Sequence, residues 1–197
     1  MKKIIKNFYS RLAIMIFVIS VIVSLGYMTV YSFNPLVQLF YLPKSFFMSM
    51  KEEPMRAPEL RGIEVWLNSE PIAISELIGS VVLIDFWTYS CINCRRDAPF
   101  VNMLHEKYAD KGLVVIGVHT PEFRYEKNIN NVKEEAEKLN MEFPIAIDND
   151  YKTFRAYGNL YWPAKYLIDK NGNIVYKRYG EGAHLEIENK ITELLGE

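Results

Sequence analysis

The sequence has no second cysteine pair. Its 197 residues hold two cysteines, Cys91 and Cys94, and three histidines, His105, His119 and His184. A structural zinc site draws four ligands, from two such pairs or from one pair with two spaced histidines. No H-x3–5-H spacing occurs here, which weighs against zinc. A structural staple is weak for another reason: disulfide stabilisation shrinks with the loop it closes, and a bridge from 91 to 94 would constrain little.

Basic charge is also short. The chain carries 23 Lys and Arg against 24 Asp and Glu. Lys2, Lys3, Lys6 and Arg11 lie at the N-terminus with no acid among them, leaving 19 basic and 24 acidic residues, a net of −5. Nucleic-acid partners are not expected, because phosphate contacts need clustered Lys and Arg.

Charge of either sign is absent from Leu12 to Pro43. Within that stretch LAIMIFVISVIVSLGYMTVYSF, residues 12–33, has the length of a helix crossing a bilayer. Its basic flank puts residues 1–11 in the cytoplasm and everything after the span outside. Tyr27, Tyr31 and Phe33 lie near the outer end, where aromatic rings settle at an interface. A cleaved signal peptide would need an A-x-A-like site. SLGYMTVYS offers none, and no nearby cysteine could carry a lipid. The expectation is an uncleaved single-pass anchor in contact with the lipid bilayer through residues 12–33. The C-terminal part is then exported to a compartment that supports disulfides.

Residues 34–58 read as a connector. NPLVQLFYLPKSFFMSM is aromatic and broken by Pro35 and Pro43, and KEEPMRAPEL turns polar and proline-rich. A single globular domain is expected over 59–197. IEVWLN (63–68) reads as a short strand, and SVVLIDFW (80–87) as a strand buried on both faces. A helix follows from about Cys91 to Lys111, with Gly112 as its stop. LVVIGVHT (113–120) is a second buried strand, NINNVKEEAEKLN (128–140) an amphipathic helix, FPIAID (143–148) a strand and DYKTFRAYG (150–158) a short helix. AKYLID and NIVYKRYG flank KNGN, whose Asn-Gly is a strong hairpin signal. HLEIENKITELLG closes the chain as a helix. Alternating strands and helices imply an α/β fold: a mainly parallel central sheet with an antiparallel terminal hairpin and helices on both faces.

A redox centre explains the cysteine pair better than the alternatives above. Cys91 falls where a buried strand ends and a helix begins. Unpaired first-turn N–H groups and the helix dipole favour a thiolate there, and thiolate is the nucleophile of disulfide exchange. Arg95 and Arg96 add positive charge, while Ile92 and Asn93 do not, so moderate acidification is expected. Cys94 lies one turn in, more buried, placed to resolve a mixed disulfide by attacking the Cys91 sulfur. Asp85 ends an apolar run, where burial raises a carboxyl pKa.

VVLIDFWTYSCINCRRDAP resembles the thioredoxin superfamily. Asp85 and Trp87 in DFW, the Cys91/Cys94 pair, Pro99 five residues after it, Trp162-Pro163 opening YWPAKYLID, and Gly180 and Gly182 after the last strand all line up with that family, over about residues 60–195. WTYSCINCRR, GVHTPEF and YWPAKYLID are most similar to the tethered extracytoplasmic TlpA/ResA-type group, in particular to the C-terminal thioredoxin-like domains of DipZ-type proteins. Those proteins carry a multi-helix membrane part, whereas this chain offers one span.

The resemblance implies catalytic roles for Cys91 as nucleophile, Cys94 as resolving thiol, Asp85 as proton relay and Pro163 as a cis proline presenting the Trp162 backbone to substrate. Trp87, Trp162, His119 and Glu122 become candidate substrate-binding residues. His184, at a helix start, reads first as structural. No cofactor and no metal is expected. The implied partners are protein disulfides or dithiols, with cytochrome c maturation as one setting, and a separate membrane electron donor of CcdA/DsbD type. The expected activity is thiol–disulfide oxidoreduction in the reductive direction. Oxidation of exported thiols is the reverse alternative. A thiol peroxidase would show P-x-x-x-T-x-x-C, and Thr88 fits but Ile84 stands at the proline position. A Sco-like copper module would use C-x3-C and a distant His such as His184, but the spacing here is CxxC.

Overall fold

The computed structural model describes residues 15–26 and 54–196. Residues 15–26 form a helix with exposed side chains. No helix among the described residues is long and apolar enough to cross a membrane. The remainder of the proposed 12–33 span, the basic residues 1–11 and the connector up to residue 53 lie outside the described residues.

From Pro54 onward the chain forms one compact unit built on a seven-stranded sheet. The strands are β1 (Met55–Arg56), β2 (Trp66–Leu67), β3 (Val81–Trp87), β4 (Leu113–His119), β5 (Ile145–Ile147), β6 (Ala164–Ile168) and β7 (Asn173–Tyr179). The helices are α1 (Ile92–Tyr108), α2 (Ile129–Lys138), α3 (Lys152–Ala156) and α4 (His184–Leu195). Strand order is β1-β7-β6-β3-β4-β5-β2. Only β3–β4 and β4–β5 pair in parallel; β3–β6, β6–β7, β1–β7 and β2–β5 are antiparallel. The sheet is therefore mixed, not mainly parallel. The reason is visible in β3 and β6, every residue of which is buried: a strand covered on both faces reads as a continuous run and carries no signature of direction. Met55–Arg56, in the stretch read as connector, pairs with Ile174 and Asn173 of β7.

Alternation along the strands separates two cores. Val81, Leu83 and Trp87 of β3 join Val115, Ile145 and Leu167 under Ala98, Val101 and Leu104 of α1 and Ile187 and Ile191 of α4. Val82, Ile84 and Phe86 face the other way, onto Ile74, Phe154 and Tyr157. Leu104 is fully buried, so its truncation to Ala would cost about 2–5 kcal/mol. Gly117 on β4 lets two large rings close over it: a Cβ there would lie 3.0 Å from the Phe143 ring and 3.1 Å from Trp87 Nε1. The β6–β7 hairpin turns at Asp169–Gly172, with Asp169 Oδ1 accepting from the Asn171 and Asn173 amides at 2.9 and 2.8 Å.

Two consequences position the site. Asp85 belongs to the odd-numbered set of β3, so it points toward α1. The β3–β6 register sets Lys165 directly opposite Asp85, on the same face.

Candidate active site

β3 ends at Trp87, and four residues later Cys91 is the N-cap of α1. Its sulfur accepts from the Cys94 backbone amide at 3.4 Å, one of the orphan donors of the helix start. Both cysteines are free thiols. Cys91 is half-buried and Cys94 is 3% exposed. A hydrogen bond from the Cys94 thiol, followed by those from the Cys94 and Asn93 amides, outweighs burial and brings Cys91 down to about 6. Burial pushes the Cys94 thiol strongly up, and its neighbours Cys91 and Asp85 add to the rise. The pair thus splits into an outer sulfur that ionises near neutrality and an inner one that holds its proton.

Behind the pair lies a buried ionic network. Lys165 is 0% exposed. Its Nζ hydrogen-bonds Asp97 Oδ2 and stands 3.0 Å from Asp85 Oδ1. That second approach is an ion pair without an aligned hydrogen bond, since Asp85 Oδ1 has no hydrogen-bond partner. On its other oxygen Asp97 meets His184 Nε2 at 2.7 Å and the Gly182 amide at 3.4 Å. Burial drives the Asp85 carboxyl above the usual range, and Lys165 offsets this only in part. For Asp97 the balance reverses: burial is outweighed by Lys165, His184 and Gly182, and its carboxyl sits below the usual range.

The structure brings most of the expected residues to this edge, in different capacities. The Trp162–Pro163 bond is cis. Pro163 directly precedes Ala164, the partner of Phe86, and so lies beside the end of β3. Trp162 is half-buried, donates from Nε1 to the Thr120 carbonyl at 3.0 Å and stacks on Phe154 at 4.6 Å. Glu122 is exposed and its charge reaches Cys91. Trp87 and His119, expected to contact substrate, are instead 1% and 0% exposed. Trp87 packs in the core with Cys94. His119 lies 3.3 Å from Thr88 Oγ1 through Nε2 and stacks behind Tyr89 at 5.8 Å. Burial lowers it to about 4, so its ring is neutral and supports the turn rather than meeting a ligand.

Three residues escaped the sequence reading: Lys165, Asp97 and Glu126. Asp97 had a usable signal, falling with Cys94, Val101 and Leu104 on the buried helical stripe. Lys165 sits inside an apolar strand, an anomaly that demands a buried partner. Glu126 follows an exposed loop and looks like any solvated acid. It is fully buried: Oε2 accepts from the Glu122 and Phe123 amides at 2.6 and 2.8 Å, and Oε1 from Ser90 Oγ. This one carboxylate joins the 122–126 loop to the turn before Cys91. Among the described residues, no group of three or more His, Cys, Asp and Glu side chains is arranged to hold a metal ion.

The AhpC/TSA family profile matches residues 56–177, which include the strand before the thiols, the thiols and the cis proline. The chain belongs to the AhpC/TSA family. Within this family the domain is 49% identical over 144 residues to Protein DipZ of Mycobacterium bovis, a match covering 72% of this chain and 21% of that protein. It is 35% identical over 146 residues to the thiol-disulfide oxidoreductase YkuV of Bacillus subtilis, covering 74% and 96%. A solution structure of a thioredoxin-like protein in its oxidised form superposes with a TM-score of 0.66 at 34% identity, covering 73% of this chain and 96% of that one. The AhpC/TSA-family domain therefore has a thioredoxin-like fold. The aligned part spans about a fifth of the DipZ protein's length.

Proposed function

We propose that this domain performs thiol–disulfide exchange through Cys91 and Cys94, reducing disulfides in proteins outside the cytoplasm. The observation that carries the reading is the split between the two sulfurs: Cys91 is accessible and ionises at about 6, while Cys94 is buried and held protonated. The Cys91 thiolate attacks a substrate sulfur, the substrate S–S bond breaks and one substrate thiolate leaves. Cys94 then gives its proton to Asp85 and attacks Cys91 Sγ. The mixed disulfide breaks, the second substrate thiolate leaves and a Cys91–Cys94 disulfide forms. Two electrons pass from the dithiol to the substrate. The leaving thiolates take up protons, one of them returned through Asp85.

Membrane attachment, electron supply and biological setting extend the same reading. The charge-free residues 12–33, flanked by Lys2, Lys3, Lys6 and Arg11, support a single-pass anchor with the thiols on the outer side. A reductant in that place needs a membrane electron donor of CcdA/DsbD type, and apocytochrome c cysteines are one substrate class it would serve.

The test is the redox potential of the full-length chain against glutathione buffers, with a Cys94→Ser trap. A potential near about −270 mV supports the reductive direction, and one near about −120 mV reverses it. Cys94→Ser should accumulate a mixed disulfide at Cys91. A Cys91→Ser chain that still turns over disulfides overturns the exchange reading.

A further inference from the structure

The buried ionic network beneath Cys94 does not end at Asp85. Lys165 is shared between two carboxylates from different elements, Asp85 of β3 and Asp97 of α1, and the sharing is unequal. Its hydrogen bond is directed to Asp97, whereas Asp85 Oδ1 has the cation 3.0 Å away without an aligned bond. The second oxygen of Asp97 is held by His184, at the first turn of α4, whose side chain is 47% exposed. The imidazole is fixed flat on the Phe100 ring at 4.0 Å. A surface residue is thus tied through two buried charged groups to Asp85, the carboxylate whose charge acts on the resolving thiol.

We propose that His184 is a positioning residue for proton transfer from Cys94: by occupying one oxygen of Asp97, it sets how strongly Lys165 is drawn away from Asp85. This rests on the reading of Asp85 as the acceptor of the Cys94 proton. The physical chain is short. An ionised carboxylate with fewer donors pulls harder on the remaining cation. If His184 no longer donates, Asp97 holds Lys165 more tightly, Asp85 loses stabilisation of its anion, and a higher pH is needed to ionise it. If Asp97 loses its charge, Lys165 belongs to Asp85 alone and the requirement moves the other way.

Three other charged residues, Arg178, Glu181 and Glu186, lie on or beside the elements that flank this network. Arg178 of β7 is the register partner of Lys165 and has an unpartnered Nε. Glu181, beside the start of α4, is engaged by Arg96 at 3.1 Å. Glu186 on α4 acts on Tyr176 of β7. None of these bonds the two Asp97 oxygens that Lys165, His184 and Gly182 occupy.

The experiment uses the reduced full-length chain and oxidised glutathione as probe. Release of the first glutathione reports attack by Cys91, and release of the second reports resolution by Cys94. Both rates are followed across pH for wild type, His184→Phe, His184→Gln, Asp97→Asn, the Asp97→Asn/His184→Phe pair and Asp85→Asn. Phenylalanine keeps the stack on Phe100 and removes the donor; glutamine restores an N–H. His184→Phe is expected to move the inflection of the second release up by about 0.5–1 pH unit, and Asp97→Asn to move it down by a similar amount. The double variant should match Asp97→Asn, because His184 acts only through Asp97. His184→Gln should return toward wild type, and the first release should be unchanged in the His184 variants.

A purely structural role would slow both steps without displacing the inflection in opposite directions. If Asp85→Asn abolishes the inflection while His184→Phe leaves it in place, the proposal is overturned and the role of Asp85 survives. If the inflection persists in Asp85→Asn, the reading beneath it fails, and the proposal with it. A double variant whose shift is the sum of the single shifts also overturns the proposal.

Discussion

Cys91 and Cys94 are two residues apart, yet their surroundings pull their proton affinities in opposite directions. The pH at which Cys91 reacts follows directly. Alkylation of the reduced chain by iodoacetamide should rise with pH through about 6 and occur at Cys91 alone, read by mass spectrometry of the modified peptide. Modification of Cys94 in the folded protein at neutral pH would contradict this. The neutral, buried His119 carries a stability consequence. Its folded value, about 4, lies below its ordinary 6.5. Between these limits the unfolded chain binds a proton that the folded chain refuses. Stability contributed by neutral His119 is therefore complete above about pH 6.5 and is lost as pH falls toward about 4, by on the order of 3 kcal/mol at most. Urea unfolding of the chain at pH 7 and pH 4.5 should show that loss in wild type and much less of it in His119→Gln. At this scale, the placement of Cys91 at a helix start and the burial of Cys94 and Asp85 were readable, because each depends on local position. The burial of His119 was not readable, since a histidine closing a strand reads the same whether a loop covers it or not.

Elements hold these residues in place through contacts distant in sequence. The 122–126 loop is fastened to the turn before Cys91 by Glu126 and also by the Tyr89 hydroxyl on the Tyr125 carbonyl at 3.3 Å. Glu126→Gln removes an acceptor where three donors converge and should cost about 1–3 kcal/mol. Amide exchange at Glu122 and Phe123 should quicken, measured by hydrogen–deuterium exchange; unchanged protection would mean that the carboxylate does not fasten the loop. Strand packing gives a second case. Gly117→Ala drives a methyl against Phe143 and Trp87 and should lower stability by about 1–3 kcal/mol, read as a fall in Tm. The strands and helices themselves were largely legible, because β3, β4 and α1 carry strong apolar patterns. Strand direction and the pairing of Asp85 with Lys165 were not, because they depend on which strand the chain places beside β3. The two-residue strands β1 and β2 are too short to leave a periodicity.

For the whole molecule, the family and fold were readable from separated motifs that agree: DFW, the cysteine pair and Trp162-Pro163. The network of Lys165, Asp97 and His184 draws on β6, α1 and α4, and only the assembled fold brings it together. The proposed anchor belongs to this scale too. The full chain should remain in the membrane pellet after alkaline extraction, and a chain lacking residues 1–33 should be released. Release of the intact chain would remove the single-pass reading.

The sulfur proposed to react is also the sulfur that caps α1. Folding and redox state therefore share a thermodynamic cycle. Any free energy the Cys91 thiolate contributes to the start of the helix is present in the dithiol form and absent once that sulfur is tied in a disulfide. The same quantity must appear as a displacement of the dithiol–disulfide equilibrium, about 30 mV for each 1.4 kcal/mol in a two-electron couple. The difference in unfolding free energy between the reduced and oxidised chains thus measures, without any substrate, how far the fold shifts the electron affinity of its own cysteine pair.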